Sequence, residues 1–96
     1  MGEIAFLWDD RKARENLRKH GIPFEEAATA FSDENARLMY DPEHSGKEDR
    51  FVLLGFSSKL RILIVCHVYR QDEKEIRIIS ARKADRDERK QYGKFL

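Results

Sequence analysis

The sequence predicts an α+β domain, a largely antiparallel sheet with helices packed against it. Three features carry that expectation. Apolar residues recur at helical spacing near the N-terminus, β-branched and aromatic runs parted by polar turns fill residues 37–81, and a helix-capping pattern stands near the C-terminus. The expected order is β-α-α-β-β-β-β-α, with no internal repeat and no low-complexity segment.

Glu3 to Trp8 reads as a short strand, with Ile4, Phe6 and Trp8 on one face and Ala5 and Leu7 on the other. Asp9 stands where its carboxylate can accept the free amide hydrogens of a first helical turn. The helix it opens runs to about His20, with Ala13 and Leu17 pointing inward and Asn16 and His20 on an adjacent stripe. Gly21 supplies a left-handed stop, and Pro23 opens a second helix, where its fixed φ suits the first position. Phe24, Ala27, Ala28 and Phe31 then recur at i, i+3, i+4 and i+7, the spacing of a buried stripe.

Residues 32–35 are turn chemistry, followed by a strand from Arg37 to Tyr40. Asp41 to Asp49 is a polar loop. Arg50 to Phe56 and Arg61 to Tyr69 form a hairpin around Ser57-Ser58-Lys59. Ile62–Cys66 is apolar on both parities, which places that strand centrally, covered on both faces. A turn at Gln71 to Lys74 leads to the last strand, Glu75 to Ala81. Asp85 with Glu88 three residues on resembles a capping box for a closing helix that ends near Tyr92.

With 96 residues, 41% hydrophobic and 39% charged, the chain is expected to form one domain over residues 1–96. Its longest apolar run, Ile62 to Cys66, is far short of a membrane span. Asp9, Asp10 and Glu15 interrupt what would be the apolar heart of a signal peptide, so secretion is not expected. The single cysteine excludes an internal disulfide and a cysteine-based zinc cluster. A cytoplasmic location follows as the expectation. The net charge of +1 hides an asymmetry: residues 1–20 carry +1, residues 21–49 carry −6, and residues 50–96 carry +6. Segregated charge lets one surface attract a polyanion without making the whole molecule basic, although solvated helix faces produce the same split.

No metal or cofactor is expected. His20, His44 and His67 fall on a helix, a loop and a strand, without metal-ligand spacing. Cys66 and His67 are strand neighbours and so point to opposite faces; Cys66 reads as a buried structural thiol. Ile76-Arg77-Ile78-Ile79-Ser80-Ala81-Arg82-Lys83 is the informative stretch. Arg77 interrupts a core-like strand, and a guanidinium there needs a carboxylate, a phosphate or a solvent-filled groove. It either pairs with Glu48 or Glu75, or joins Arg82 in a phosphate-binding floor.

Trp8-Asp9, Lys12, Asn16-Leu17-Arg18-Lys19-His20-Gly21-Ile22, Phe24-Glu25-Glu26-Ala27, Asp41-Pro42-Glu43-His44, Glu48-Asp49-Arg50, Gly55, Arg77-Ile78-Ile79-Ser80-Ala81-Arg82-Lys83-Ala84, Glu88-Arg89 and Tyr92, in that order, resemble the BrnT family. These are toxin halves of bacterial type II toxin–antitoxin modules. The resemblance runs from Phe6 to Tyr92. It implies a RelE-like fold and a ribonuclease that halts translation by cutting RNA. It also implies a BrnA-like ribbon-helix-helix antitoxin as partner, with operator DNA bound and repressed through the toxin–antitoxin complex. A heterotetramer of two toxins and two antitoxins would follow if the partner dimerises as such domains do.

Metal-free RNA cleavage needs a base for the 2′-hydroxyl, an acid for the leaving 5′ oxygen, and cations for the crowded phosphorane. His67 suits either proton role by its ordinary pKa, or is a hydrogen-bonded structural histidine. Glu48 is a candidate base. Arg77, Arg82 and Ser80 complete the catalytic candidates. Lys12, Arg50, Lys83 and Tyr92 are the RNA-binding candidates, Tyr92 by stacking or by a hydrogen bond. Trp8, Leu17, Phe24, Ala27 and Phe31 are expected to be architectural. Two functions remain open on the sequence: an RNA endonuclease toxin, or a module that binds antitoxin, RNA or ribosome without cutting.

Overall fold

The computed structural model describes residues 3–94. Among the described residues the order is β1 (Ala5–Leu7), α1 (Asp10–His20), α2 (Phe24–Thr29), β2 (Arg37–Asp41), β3 (Arg50–Phe56), β4 (Ile62–Arg70), β5 (Glu75–Lys83) and α3 (Arg86–Gly93). Short 3₁₀ turns at Ala30–Ser32 and Pro42–His44 follow α2 and β2. No described helix is long and apolar enough to cross a membrane.

The described strands form one five-stranded sheet in the order β1-β5-β4-β3-β2, so β4 is central as its two-sided apolar run predicts. The sheet is mixed, not wholly antiparallel. β2 through β5 pair antiparallel, whereas β1 lies parallel on β5, with Ala5, Phe6 and Leu7 against Glu75, Ile76 and Arg77. The chain passes through two helices and three strands before β5, and that long path lets β1 pair in either sense.

The helices α1 and α2 cover one face. Ile22, Phe24, Ala27, Ala30, Leu53, Leu63, Val65, Ile76, Ile78 and Ala81 form the main core there, with Phe6, Trp8 and Phe31 packed at its margin. Asp9 accepts the Lys12 amide hydrogen at 3.1 Å, and Gly21 ends α1 at φ 71 with its N–H on the Leu17 carbonyl. Gly55 is required where β3 passes under the turn after α2, because a Cβ there would stand 2.9 Å from the Ala30 carbonyl oxygen.

Two polar side chains fasten these layers, and neither follows the apolar pattern. Asn16 is buried while Leu17, expected to point inward, is 49% exposed. The Asn16 carboxamide donates to the Ile22 carbonyl at 3.0 Å and the Ala81 carbonyl at 2.8 Å, and accepts the Ala81 N–H at 3.0 Å. β1 stops at Leu7, so the edge of β5 beyond it lacks a strand partner, and the carboxamide supplies the missing donor and acceptor. Glu26 of α2 is likewise buried, accepting from the Ser57 hydroxyl at 2.7 Å and from the Arg61 guanidinium. Arg61 holds the Glu26 carboxyl below its ordinary pKa against the opposing effect of burial.

The second face is covered in part by α3, where Leu54, Ile64, Ala84 and Tyr92 make a smaller core. The expected capping box is present, with Asp85 accepting the Glu88 N–H and Glu88 accepting the Asp85 N–H, both at 2.8 Å. β5 carries a bulge: Cys66 pairs with Ser80 but His67 with Ile78, leaving Ile79 as the extra residue. The bulge keeps both Ile78 and Ala81 in the core while Ser80 and Arg82 turn to the second face.

Candidate active site

The part of the second face left open by α3 is a groove of about 570 Å³. The strand register lays out this face row by row, because directly paired residues share a face. Asp41, Arg50, Val68, Arg77 and Leu7 form one row from β2 to β1. Met39, Val52, Cys66 and Ser80 form the next, and Arg37, Leu54, Ile64 and Arg82 the one after. Each row is apolar in the middle. Guanidinium groups therefore frame an apolar floor.

One wall of the groove is α3. Glu88 accepts two bonds from the Arg82 guanidinium, at 2.7 and 2.9 Å, with the same carboxylate that closes the capping box. This bidentate pair holds Arg82 above its ordinary pKa and Glu88 below its own. The opposite wall is the turn after β2, where Pro42 begins a 3₁₀ turn that carries His44 back over Asp41. His44 Nδ1 lies 2.8 Å from Asp41 Oδ2. The Ser45 hydroxyl donates to the Asp41 carbonyl at 2.6 Å and accepts the Arg50 N–H at 3.0 Å, fixing that turn to the start of β3. The Arg50 guanidinium makes no hydrogen bond or ion pair among the described residues.

Arg50, Ser80 and Arg82 thus meet in one groove, and Arg77 shares their face one strand beyond Val68. Arg77 sits beside Leu7, Trp8, Asp9, Arg70 and Glu75, outside the groove itself. The other sequence candidates lie elsewhere. His67 is fully buried on the helix-covered face, ringed by Phe31, Phe51 and Tyr69 with its Nδ1 donating to the Val65 carbonyl at 3.0 Å. Burial pushes its pKa down. Alternation along β4 is the physical reason it turns away from the groove, while its neighbour Cys66 lines the groove half-exposed instead of being buried.

Glu48 accepts from Arg70 at 3.0 Å on an exposed loop, beside Phe51 and Tyr69. Tyr92 is core: its hydroxyl donates to Asp33 at 2.6 Å, and burial with that bond pushes its pKa up to about 12. Lys83 is paired with Leu63, so it falls on the parity opposite Arg82 at the exposed end of β5. Lys12 lies on α1 in an adjoining hollow. The residues the sequence reading passed over are His44 and Asp41 as a pair, and Glu88 as the partner of Arg82. The signal for the first was Asp41-Pro42-Glu43-His44, an acid and an imidazole three apart in a turn opened by proline. Among the described residues, no three of His, Cys, Asp and Glu are grouped so as to hold a metal ion.

The groove offers an imidazole–carboxylate pair, one uncommitted guanidinium and a second one oriented by a carboxylate. That set can move a proton and stabilise an anion at the same place.

A family described as ribonuclease toxin, BrnT, of type II toxin–antitoxin system matches residues 8–88. Among solved structures, the chain is similar to the Brucella abortus ribonuclease toxin BrnT at 23% identity and a TM-score of 0.64, covering 90% of this chain and 100% of that one. That likeness extends to the fold. No curated protein sequence matches the chain.

Proposed function

Because the chain belongs to the BrnT family of ribonuclease toxins of type II toxin–antitoxin systems, we propose that the groove on the second sheet face is its ribonuclease site and that cleavage is metal-independent. The carrying observation is the convergence of His44, Asp41, Arg50 and Arg82 on one groove. In this reading Asp41 accepts the Nδ1 hydrogen of His44, leaving Nε2 to take the proton of the RNA 2′-hydroxyl. The 2′ oxygen bonds to the adjacent phosphorus and the bond to the 5′ oxygen breaks. The imidazolium formed returns its proton to that departing oxygen. Arg50 and Arg82 bear the negative charge of the phosphorane. Ser80 and Arg77 border the path of the chain on the same face.

Inhibition of translation by this cleavage, a ribbon-helix-helix antitoxin of the BrnA kind, repression of the operon by the joint complex, and a cytoplasmic location complete the proposal. Support for the partner comes from the family description, which makes the toxin one half of a pair.

The test is RNA cleavage by the purified chain in excess EDTA, beside His44→Ala and Arg82→Ala. Cleavage that survives chelation, yields 2′,3′-cyclic phosphate ends and falls at least a hundredfold in both variants is the expected result. Loss of activity on chelation would refute the metal-free reading, and full activity in both variants would move the site elsewhere. RNA binding without product would favour a toxin that acts by occupancy.

A further inference from the structure

The groove does not end at β5. Ile79 and Ser80, at the bulge, line both the groove and a second hollow of about 240 Å³ on α1. The second hollow is bounded by Lys12, Glu15, Asn16, Lys19 and His20. These α1 positions are spaced i, i+3, i+4, i+7 and i+8, a single stripe along the helix. Asn16 sits mid-stripe and is clamped to the Ala81 main chain, so the stripe is held against the edge of β5. Lys12 then stands one turn before the clamp and Lys19 one turn after, about 10 Å apart along the helix axis. Both ammonium groups and the His20 ring are without a hydrogen bond or ion pair among the described residues. The one carboxylate of the hollow, Glu15, faces Arg11 at 3.8 Å.

From this continuity we infer that a single RNA strand leaves the groove over the Ile79–Ser80 bulge and continues along α1, where Lys12 and Lys19 take backbone phosphates. The inference rests on the ribonuclease reading above and names a second, sequence-independent subsite for the same substrate. Two lysines without an ion pair inside 4 Å, Lys12 only in longer-range attraction to Asp9, flank a rigid clamp and suit phosphate tracking, since ammonium groups act on phosphates as point charges and leave the bases unread. Each lysine engaged with a phosphate displaces condensed counterions, so the site has a salt signature of its own.

The experiment compares wild type with Lys12→Ala/Lys19→Ala and with Lys59→Ala/Lys74→Ala, a control pair in the two hairpin turns. Uncleavable 2′-O-methyl RNA of four and of sixteen nucleotides is titrated by fluorescence anisotropy across a range of salt. For the long oligonucleotide, loss of Lys12 and Lys19 is expected to weaken binding roughly tenfold at low salt and to flatten the slope of log affinity against log salt by about 1.4. The short oligonucleotide, held by the groove alone, is expected to change less than twofold. An unchanged slope for the long RNA, or an equal loss in the control pair, would overturn the track while leaving the groove standing. Absence of binding to either RNA would overturn the ribonuclease reading together with the track.

Discussion

Replacing Asn16 by leucine keeps the size of the side chain and removes its hydrogen bonding. Three main-chain groups lose their partner: the Ile22 carbonyl, the Ala81 carbonyl and the Ala81 N–H. Ile22 and Ala81 are both 0% exposed, so water cannot stand in. An orphaned buried group costs about 1–3 kcal/mol, and the greater hydrophobicity of leucine offsets about 1 kcal/mol of the total. A net loss of about 3 kcal/mol is a large share of the 5–15 kcal/mol typical of a small domain. With a urea slope of about 1–2 kcal/mol/M, the midpoint should fall by about 2 M. Trp8, edge-on to Phe24 at 5.9 Å, reports the transition by fluorescence. Leu17→Asn, at the neighbouring exposed position, is expected to change stability by less than about 0.5 kcal/mol. Equal midpoints for the two variants would refute the assignment of Asn16 as the clamp between α1 and β5.

Three further outcomes follow from the same geometry. Glu88→Gln keeps an acceptor for the Asp85 N–H but removes the charge that orients Arg82, so kcat/KM for RNA is expected to fall roughly tenfold with a stability loss under about 1 kcal/mol; unchanged cleavage would count against the pair. Tyr92→Phe deletes the bond to Asp33, which also holds the Phe56 N–H at 2.8 Å, and is expected to cost about 1–2 kcal/mol in urea unfolding while leaving RNA affinity intact. His67 is held neutral by burial, so its native pKa lies below its unfolded value near ~6.5. The unfolded chain therefore binds more protons below that pH. This contribution is full above pH ~6.5 and declines on acidification below it by up to about 1.4 kcal/mol per pH unit, a slope that His67→Leu should flatten in urea unfolding followed just below that pH.

Strand and helix positions were legible because each rests on local chemistry: the Asp9 cap, the Gly21 stop, the stripe from Phe24 and the Asp85–Glu88 box all act within a few residues. What the sequence hid depends on contacts distant along the chain. Leu17 falls on the inward stripe and Asn16 on the one beside it, because periodicity weighs hydrophobicity and cannot see that the edge of β5 needs a donor and an acceptor 65 residues away. The parallel sense of β1 is hidden for the same reason. The site was half legible. Arg50, Ser80 and Arg82 of the sequence candidates share the groove, whereas Arg77, singled out because a charge inside an apolar strand demands a partner or a solvent-filled place, lies on the same face outside it. His67 attracted notice for its chemistry, whereas His44, in a loop with no periodic pattern, had only its spacing from Asp41 to mark it.

In the proposed site, the surplus of positive charge in residues 50–96 acts through the way this face distributes it. Both carboxylates of the groove are hydrogen-bonded, Glu88 to the Arg82 guanidinium, which offsets its charge, and Asp41 to the His44 imidazole, which fixes its direction. Arg50 alone brings an unshared guanidinium to the groove among the described residues, from the position opposite Asp41 in the sheet. At about 4 Å and an effective dielectric near 20, one such charge is worth about 4 kcal/mol to an anion. Under the proposed mechanism, Arg82, already paired with Glu88, would contribute less to drawing RNA in and more to a fixed donor geometry, the property that charge developing in a transition state requires. The apolar floor between them, Val52, Leu54 and Ile64, excludes water from beneath the phosphate and keeps both effects strong. In the proposed site, attraction and orientation therefore fall to different arginines, and the capping box of α3 is what separates the two roles.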